Sequence, residues 1–445
     1  MRKVLMVVFA VVLVAAFALP AMADTQVSGY YRAKGYVSNF KRLGAASTNP
    51  DPDNIETTSS YVEQRARMKF SFGEENVKAV WFAELDPNFG IGNFQNGTRN
   101  QGGALGADTI DLETKNLYVW FKVPNTTWDF TVGLQNVSDS YAGVLFGYAD
   151  MAGVFANFKF EPVAIRLGWA KWFEGDVQEA DDADLYVAEA KFSPTKDVKL
   201  GINFYFVRDG DGGDDETPTV VQANSDKTYV YIPGFDVTFK AGPATINAFF
   251  LYEFGTFESP GSPDIDIRGY AGDIRADLNL GPGKFFIEGL YVSGDDNPTD
   301  DKFESIFTAG DLVGSQDYFS RPDMQILLSN LDDLSTNQPI TTNVNFQGSG
   351  RGIWFVGAGY SQKFTDKVSG KVGVGYMQIT EERTGDRGSG VGTEINANVN
   401  YNITKGLDLG LYGAYAFLGD FFDQPSGSPD LVDPYDLHFR LNYSF

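Results

Sequence analysis

The sequence predicts an all-β chain that closes into a transmembrane antiparallel β-barrel of about eighteen strands. Three observations predict it. Stretches that read as strands alternate apolar and polar residues. The connections between them alternate in length, short turns with long polar loops. The composition is 43% hydrophobic and 15% aromatic, yet mean hydropathy is negative at −0.22. A membrane protein built of helices does not combine these values. A barrel does, because its lipid-facing and lumen-facing residues alternate along each strand.

Composition narrows the classes further. The 445 residues suffice for one large barrel or for two or three ordinary domains. The net charge of −24 argues against nucleic-acid binding, which needs a basic footprint. With no Cys, the chain has no disulfide, no thiolate metal site and no covalent c-type haem site. No cofactor is expected.

Taken in order, residues 1–23 read as a secretory signal peptide. Arg2 and Lys3 form a positive start, residues 4–19 an apolar run, and Ala21-Met22-Ala23 a small-x-small cleavage site. That run is shorter than the ~20 residues a spanning helix needs. The barrel is expected over residues 24–445. Strand-like segments follow at 25–39, 60–72, 77–85, 112–123, 128–135, 151–160, 164–173, 184–192, 198–208, 228–240, 245–255, 265–280, 284–293, 353–364, 368–380, 393–402, 407–418 and 435–445. Short connections such as 73–76, 124–127, 241–243 and 281–283 carry the Gly, Pro and Asn of tight turns. They alternate with long Gly- and Asp-rich loops, which is the transmembrane-barrel pattern.

Alternation assigns faces. In the second strand Val62, Ala66, Met68, Phe70 and Phe72 point to lipid, and Glu63, Arg65, Arg67 and Lys69 to the lumen. Later, Ile395, Ala397, Val399 and Tyr401 point out, and Glu394, Asn396, Asn398 and Asn400 point in. A Lys or Arg on the lipid face at mid-bilayer costs roughly 2–4 kcal/mol, so strand charges belong inside. Predicted pore-lining residues are therefore Arg32, Lys34, Glu63, Arg65, Arg67, Lys69, Glu189, Asp273, Arg275, Asp277, Asn396, Asn398, Asn400, His438 and Arg440. Arg166, Lys191, Lys363 and Lys371 are further basic candidates. Closure pairs the last strand with the first and gathers Arg32, Lys34, Arg65, Arg67, His438 and Arg440 on one wall. Such a wall would attract anions; the alternative is neutralisation by cross-wall ion pairs.

Acidic runs fall in the loops. Asp209, Asp211 and Asp215 in a Gly-rich loop make a weak calcium candidate, without the spacing of an EF-hand. The connection over 294–351 is long enough to be functional or disordered. It holds aromatic residues and a segment, 322–328, that reads as a short helix. It is expected to fold over or into the barrel mouth as a constriction or plug.

The last strand alternates throughout. Tyr435, Leu437, Phe439, Leu441, Tyr443 and Phe445 form one face; Asp436, His438, Arg440, Asn442 and Ser444 form the other. This stretch resembles the closing strand of Gram-negative outer-membrane β-barrels. The resemblance implies that the barrel-assembly machinery reads those six apolar residues as an assembly signal. It also implies an outer-membrane setting with lipid and lipopolysaccharide as surroundings. Two further stretches, Tyr61-Val62-Glu63-Gln64-Arg65-Ala66-Arg67 and residues 291–302, resemble porins related to the alginate-export family. That family implies an eighteen-stranded monomeric barrel and export of an acidic polysaccharide.

Function is thus expected to be diffusion of small hydrophilic solutes, anionic ones included, through a channel. The alternatives are export of an anionic polymer, or a structural sheath around a partner protein. A hydrolase is disfavoured: His438 is the sole histidine, and no nucleophile motif accompanies it. The residues leave open whether the barrel is a monomer or a trimer.

Overall fold

The computed structural model describes residues 24–39, 58–90, 102–106, 112–174, 182–210, 227–258, 261, 263–309, 324–328, 350–423 and 431–445. The predicted signal peptide at 1–23 lies outside them, as do Asp211 and Asp215 of the calcium candidate.

Strands begin with β1 (Asp24–Ser38), β2 (Ser59–Glu74), β3 (Val77–Leu85), β4 (Glu113–Lys122), β5 (Asp129–Val137) and β6 (Ala149–Phe160). They continue with β7 (Val163–Phe173), β8 (Ala183–Thr195), β9 (Val198–Asp209), β10 (Lys227–Ala241), β11 (Ala244–Tyr252), β12 (Phe254–Glu258), β13 (Ile265–Ile267) and β14 (Tyr270–Leu280). The last are β15 (Gly283–Val292), β16 (Lys302–Phe303), β17 (Ile353–Lys363), β18 (Val368–Ile379), β19 (Gly390–Thr404), β20 (Leu407–Leu418) and β21 (Tyr435–Ser444). Antiparallel pairing runs round the wall, and β21 pairs with β1. The wall closes, leaving no sheet edge for water to satisfy. In lipid each unpaired backbone group would cost several kcal/mol, and closure avoids this.

The wall has eighteen strands. The segments predicted at 245–255 and 265–280 are each interrupted. β11 and β12 form one wall strand broken at Glu253, and β13 and β14 form another broken at Arg268-Gly269. The break has a local cause. Glu253 turns a fully buried side chain inward, and its carboxylate accepts the Phe307 backbone N–H at 2.6 Å. The two-residue β16 lies parallel to β13 and belongs to the loop, not the wall.

One face of the wall is apolar and exposed. Leu117, Val132, Leu167, Ile202, Ile274, Val372, Ile395 and Leu411 are 42–73% exposed. A belt of this kind meets lipid. The predicted closing-strand series is part of it, with Leu437, Phe439, Tyr443 and Phe445 all exposed. Among the described residues no helix is long and apolar enough to cross a membrane. The short turns, the start of β1 and the end of β21 lie at one end: the Gly29 and Phe445 backbones exchange N–H···O bonds of 3.0 Å, and Asp24 pairs with Gly73.

Candidate functional site

The interior is not an empty tube, because long connections fold into it. The loop between β5 and β6 buries Tyr141, Val144, Leu145 and Phe146 at 0–3% exposure. Asp139 shapes it. Its two carboxylate oxygens accept the backbone N–H groups of Tyr141, Gly143, Leu145 and Phe146 at 2.7–2.8 Å. Burial pushes this carboxyl up to about 6, against the downward pull of those four bonds. The wall fastens the same loop: the Tyr205 hydroxyl accepts the Ser140 N–H at 2.9 Å and donates to Glu189 at 2.5 Å.

The long connection between β15 and β17 enters as well. Ile306 and Phe307 are buried, as are Met324, Ile326, Leu327 and Leu328. The short helix predicted at 322–328 is not formed over its described part, 324–328, which is a run of bends. The reason lies in the wall. Glu394 on β19 takes the N–H groups of Gln325, Ile326 and Leu327 at 2.7, 3.0 and 2.9 Å. A side chain thus satisfies consecutive N–H groups as at a helix start, with no further turns described behind it.

Beneath this turn, toward the short-turn end, lies a cavity of about 730 Å³. Its described lining includes four cations, Lys284, Lys363, Lys371 and Arg440, and no carboxylate. Amide and hydroxyl groups fill the spaces between, from Asn279, Gln362, Ser369, Asn398 and Asn400. Tyr412 adds an aromatic face, with the Arg440 guanidinium 4.9 Å from its ring centre. The Lys371 ammonium sits 5.1 Å from the Phe286 ring centre. Met324 and Gln325 form the ceiling. Gln325 is 5% exposed, and among the described residues its buried side-chain oxygen has no hydrogen-bond partner. Lys284 also reaches Asp277 at 3.2 Å, outside the lining.

The strand register places all fifteen predicted lumen-facing residues on the inner face, but in different settings. Asn398, Asn400 and Arg440 line the cavity. Arg32, Lys34, Arg65, Arg67 and Lys69 sit at the β1–β2 seam, where Arg32 faces Arg65 and Lys34 faces both Glu63 and Arg440. That wall is not purely basic. Arg65 makes a two-bond pair with Asp86 at 2.8 and 2.6 Å and lies 3.3 Å from Glu84, and Arg67 also pairs with Glu84. These acids, Glu84 at the end of β3 and Asp86 just beyond it, give the seam the ion pairs of the alternative expectation and not the purely basic wall; they stand two apart, the spacing that puts both on one face. Arg275 bridges Asp277 at 3.2 Å and Glu288 at 3.0 Å, with Asp273 buried alongside on the same face. His438 bonds Asp436 at 2.7 Å between the rings of Tyr36 and Tyr412. Glu189 and Asn396 lie beneath the inserted segments. Asp209 is buried at the end of β9, where it faces Thr228. Two acidic groups among the described residues converge without an EF-hand pattern, Glu84-Asp86-Glu113 and Asp295-Asp296-Glu304. The first is occupied by the arginines just described.

Sequence reasoning missed Lys284, Ser369, Gln325 and Tyr412. Lys284 lies two residues before Phe286, on the inner face of β15, and that parity was available. Gln325 lies in a loop, where alternation says nothing.

No family model matches the chain, and no curated protein matches it. Solved structures do. The outer membrane protein OpdK from Pseudomonas aeruginosa aligns over 95% of this chain and 98% of its own, with 13% identity and a TM-score of 0.55. OpdO from the same organism covers 95% and 97%, at 13% identity and a TM-score of 0.54. OccAB4 from Acinetobacter baumannii covers 95% and 98%, at 10% identity and a TM-score of 0.54. At such identities the likeness is one of fold: the chain has the closed eighteen-stranded barrel of these outer-membrane proteins. They lend no support to the alginate-export resemblance.

Proposed function

We propose that this barrel is an outer-membrane channel for small hydrophilic solutes, with a preference for anions. The observation that carries the reading is the cavity: four cations and no carboxylate in its described lining, within a barrel wall whose outer belt is apolar. In a low-dielectric enclosure, charge of one sign concentrates counter-ions of the other. A carboxylate solute would find Lys363, Lys371 and Arg440 as partners, and the Asn398 and Asn400 amides would bond its polar atoms. One of the similar structures is of OpdK with vanillate, itself a carboxylate. A polymer exporter fits less well, because the turn at 324–328 and the loop at 139–146 occupy part of the interior. The seam charges of Arg65 and Arg67 are compensated locally by Asp86 and Glu84.

The test is conductance of the purified barrel in a planar bilayer, with the reversal potential read in a salt gradient. Ohmic steps with anion preference are expected. Lys371→Glu with Arg440→Glu should move the reversal potential to the cation side, whereas Arg67→Glu at the compensated seam should move it much less. An unchanged sign in the cavity variant would sink the anion reading.

A further inference from the structure

We propose that Glu394 is a positioning residue that pins the turn at 324–328 across the barrel interior and so sets the ceiling of the basic cavity. The inference rests on the channel reading above. Glu394 is fully buried, on the inner face of β19. Four donors converge on its two oxygens. Oε1 takes the Gln325 N–H at 2.7 Å and the Asn396 side-chain N–H at 2.9 Å, and Oε2 takes the Ile326 and Leu327 N–H groups at 3.0 and 2.9 Å. A buried carboxylate is costly unless its hydrogen bonds are made. Here the inserted turn makes three of them. Take the turn away, and three of the carboxylate's four bonds in the described structure go with it.

The wall is also shaped for the turn. In the strand register Glu394 stands between Gly375 on β18 and Ala416 on β20, two small residues. A Cβ at Gly375 would lie 2.8 Å from the Met324 sulfur and 2.6 Å from the Phe355 ring. The glycine is therefore a seat for Met324. Charge and steric room come from different strands and converge on the same five residues. Two of the five, Met324 and Gln325, are the cavity's ceiling. Glu394 thus controls the cavity height without touching the solute.

Two variants attack the arrangement independently. Glu394→Gln keeps size but turns an amide N–H toward backbone donors. Gly375→Val fills the seat and leaves the carboxylate intact. Each is made in the full chain, and the folded barrel is checked by its heat-dependent gel mobility. Amide hydrogen exchange at Gln325, Ile326 and Leu327 reads the pin directly, and single-channel conductance reads the consequence. Exchange about tenfold faster or more is expected in both variants, with conductance raised about twofold or more and weaker anion preference. Unchanged exchange in both variants would overturn the pin. Faster exchange with unchanged conductance in a conducting barrel would overturn its control of the passage. Faster exchange with no conductance in any form, wild type included, would leave the pin standing and remove the channel reading instead.

Discussion

At the scale of single residues, the interior is organised by carboxylates that accept backbone N–H groups. Asp139 is the compact case, with four such bonds inside one loop. Asp139→Ala leaves those donors without an acceptor, at about 1–3 kcal/mol for each that stays buried. The loop should leave the barrel interior before it tolerates that. The expected outcome is a folded barrel whose 138–148 loop is cut by protease at least tenfold faster than in the wild type. Asp139→Asn should behave in the same direction, since its amide presents N–H to two of the four donors. A loop as resistant as the wild type in both variants would mean the apolar contacts of Tyr141 and Phe146 hold it alone. These residues also mark how far the sequence could be read. Parity assigned Glu63, Arg65, Asp273 and Asn396 to the inner face because a strand repeats every two residues. It could not tell that loops would cover Glu189 and Asn396, because coverage is decided by long-range contacts that leave no period. The neutralising Glu84 and Asp86 were readable by spacing, but β3 carries Trp81 and Phe82 side by side, which blurs its alternation.

At the scale of elements, the β18–β19 connection shows how the loops at the other mouth are tied. Arg351, just before β17, makes a two-bond pair with Asp386 at 2.7 and 2.8 Å. The Arg383 N–H donates to Asp386 at 2.8 Å, and the Arg383 guanidinium donates to the Asp295 carbonyl at 2.8 Å. Burial alone would raise the Asp386 carboxyl, but the Arg351 and Arg383 bonds and charges outweigh it and hold it below its ordinary value of 3.8. A lowered carboxyl gives stability that is present above the unfolded value and lost as pH falls through the folded one. The tie should therefore hold at neutral pH and down to about 4. It should loosen below that, seen as faster amide exchange in 381–388 at pH 3 than at pH 5 after correction for intrinsic rates. Asp386→Asn should be loose already at pH 7. That comparison isolates the carboxyl from Asp295 and Glu381, which burial shifts upward. The predicted strand order and turn positions hold across the molecule. The departures, at Glu253 and Arg268-Gly269, sit where a wall strand bends to receive residues 302–307, a demand set by the loop and not by the strand's own sequence.

At the scale of the whole molecule, everything depends on closure between β21 and β1. The register puts Phe439 opposite Gly35 on the lipid face and Tyr443 opposite Tyr31. A Cβ at Gly35 would lie 2.1–2.9 Å from the Phe439 ring, so the ring lies over the glycine. An aromatic side chain there covers a strand position that has no side chain of its own to pack. Gly35→Ala should push the ring off and strain the seam by about 1–3 kcal/mol. Phe439→Ala should expose the Gly35 backbone and weaken the same place. If ring and glycine act as one contact, Gly35→Ala with Phe439→Ala should lose less than the two single losses together, because the methyl enters space the ring has left. The measurement is the temperature at which the folded, faster-migrating form disappears on gel electrophoresis. Both single variants should lower it, and the double variant should lie above the additive value. Strict additivity would show that the seam is held by its backbone ladder and that Phe439 is only one more lipid-facing side chain.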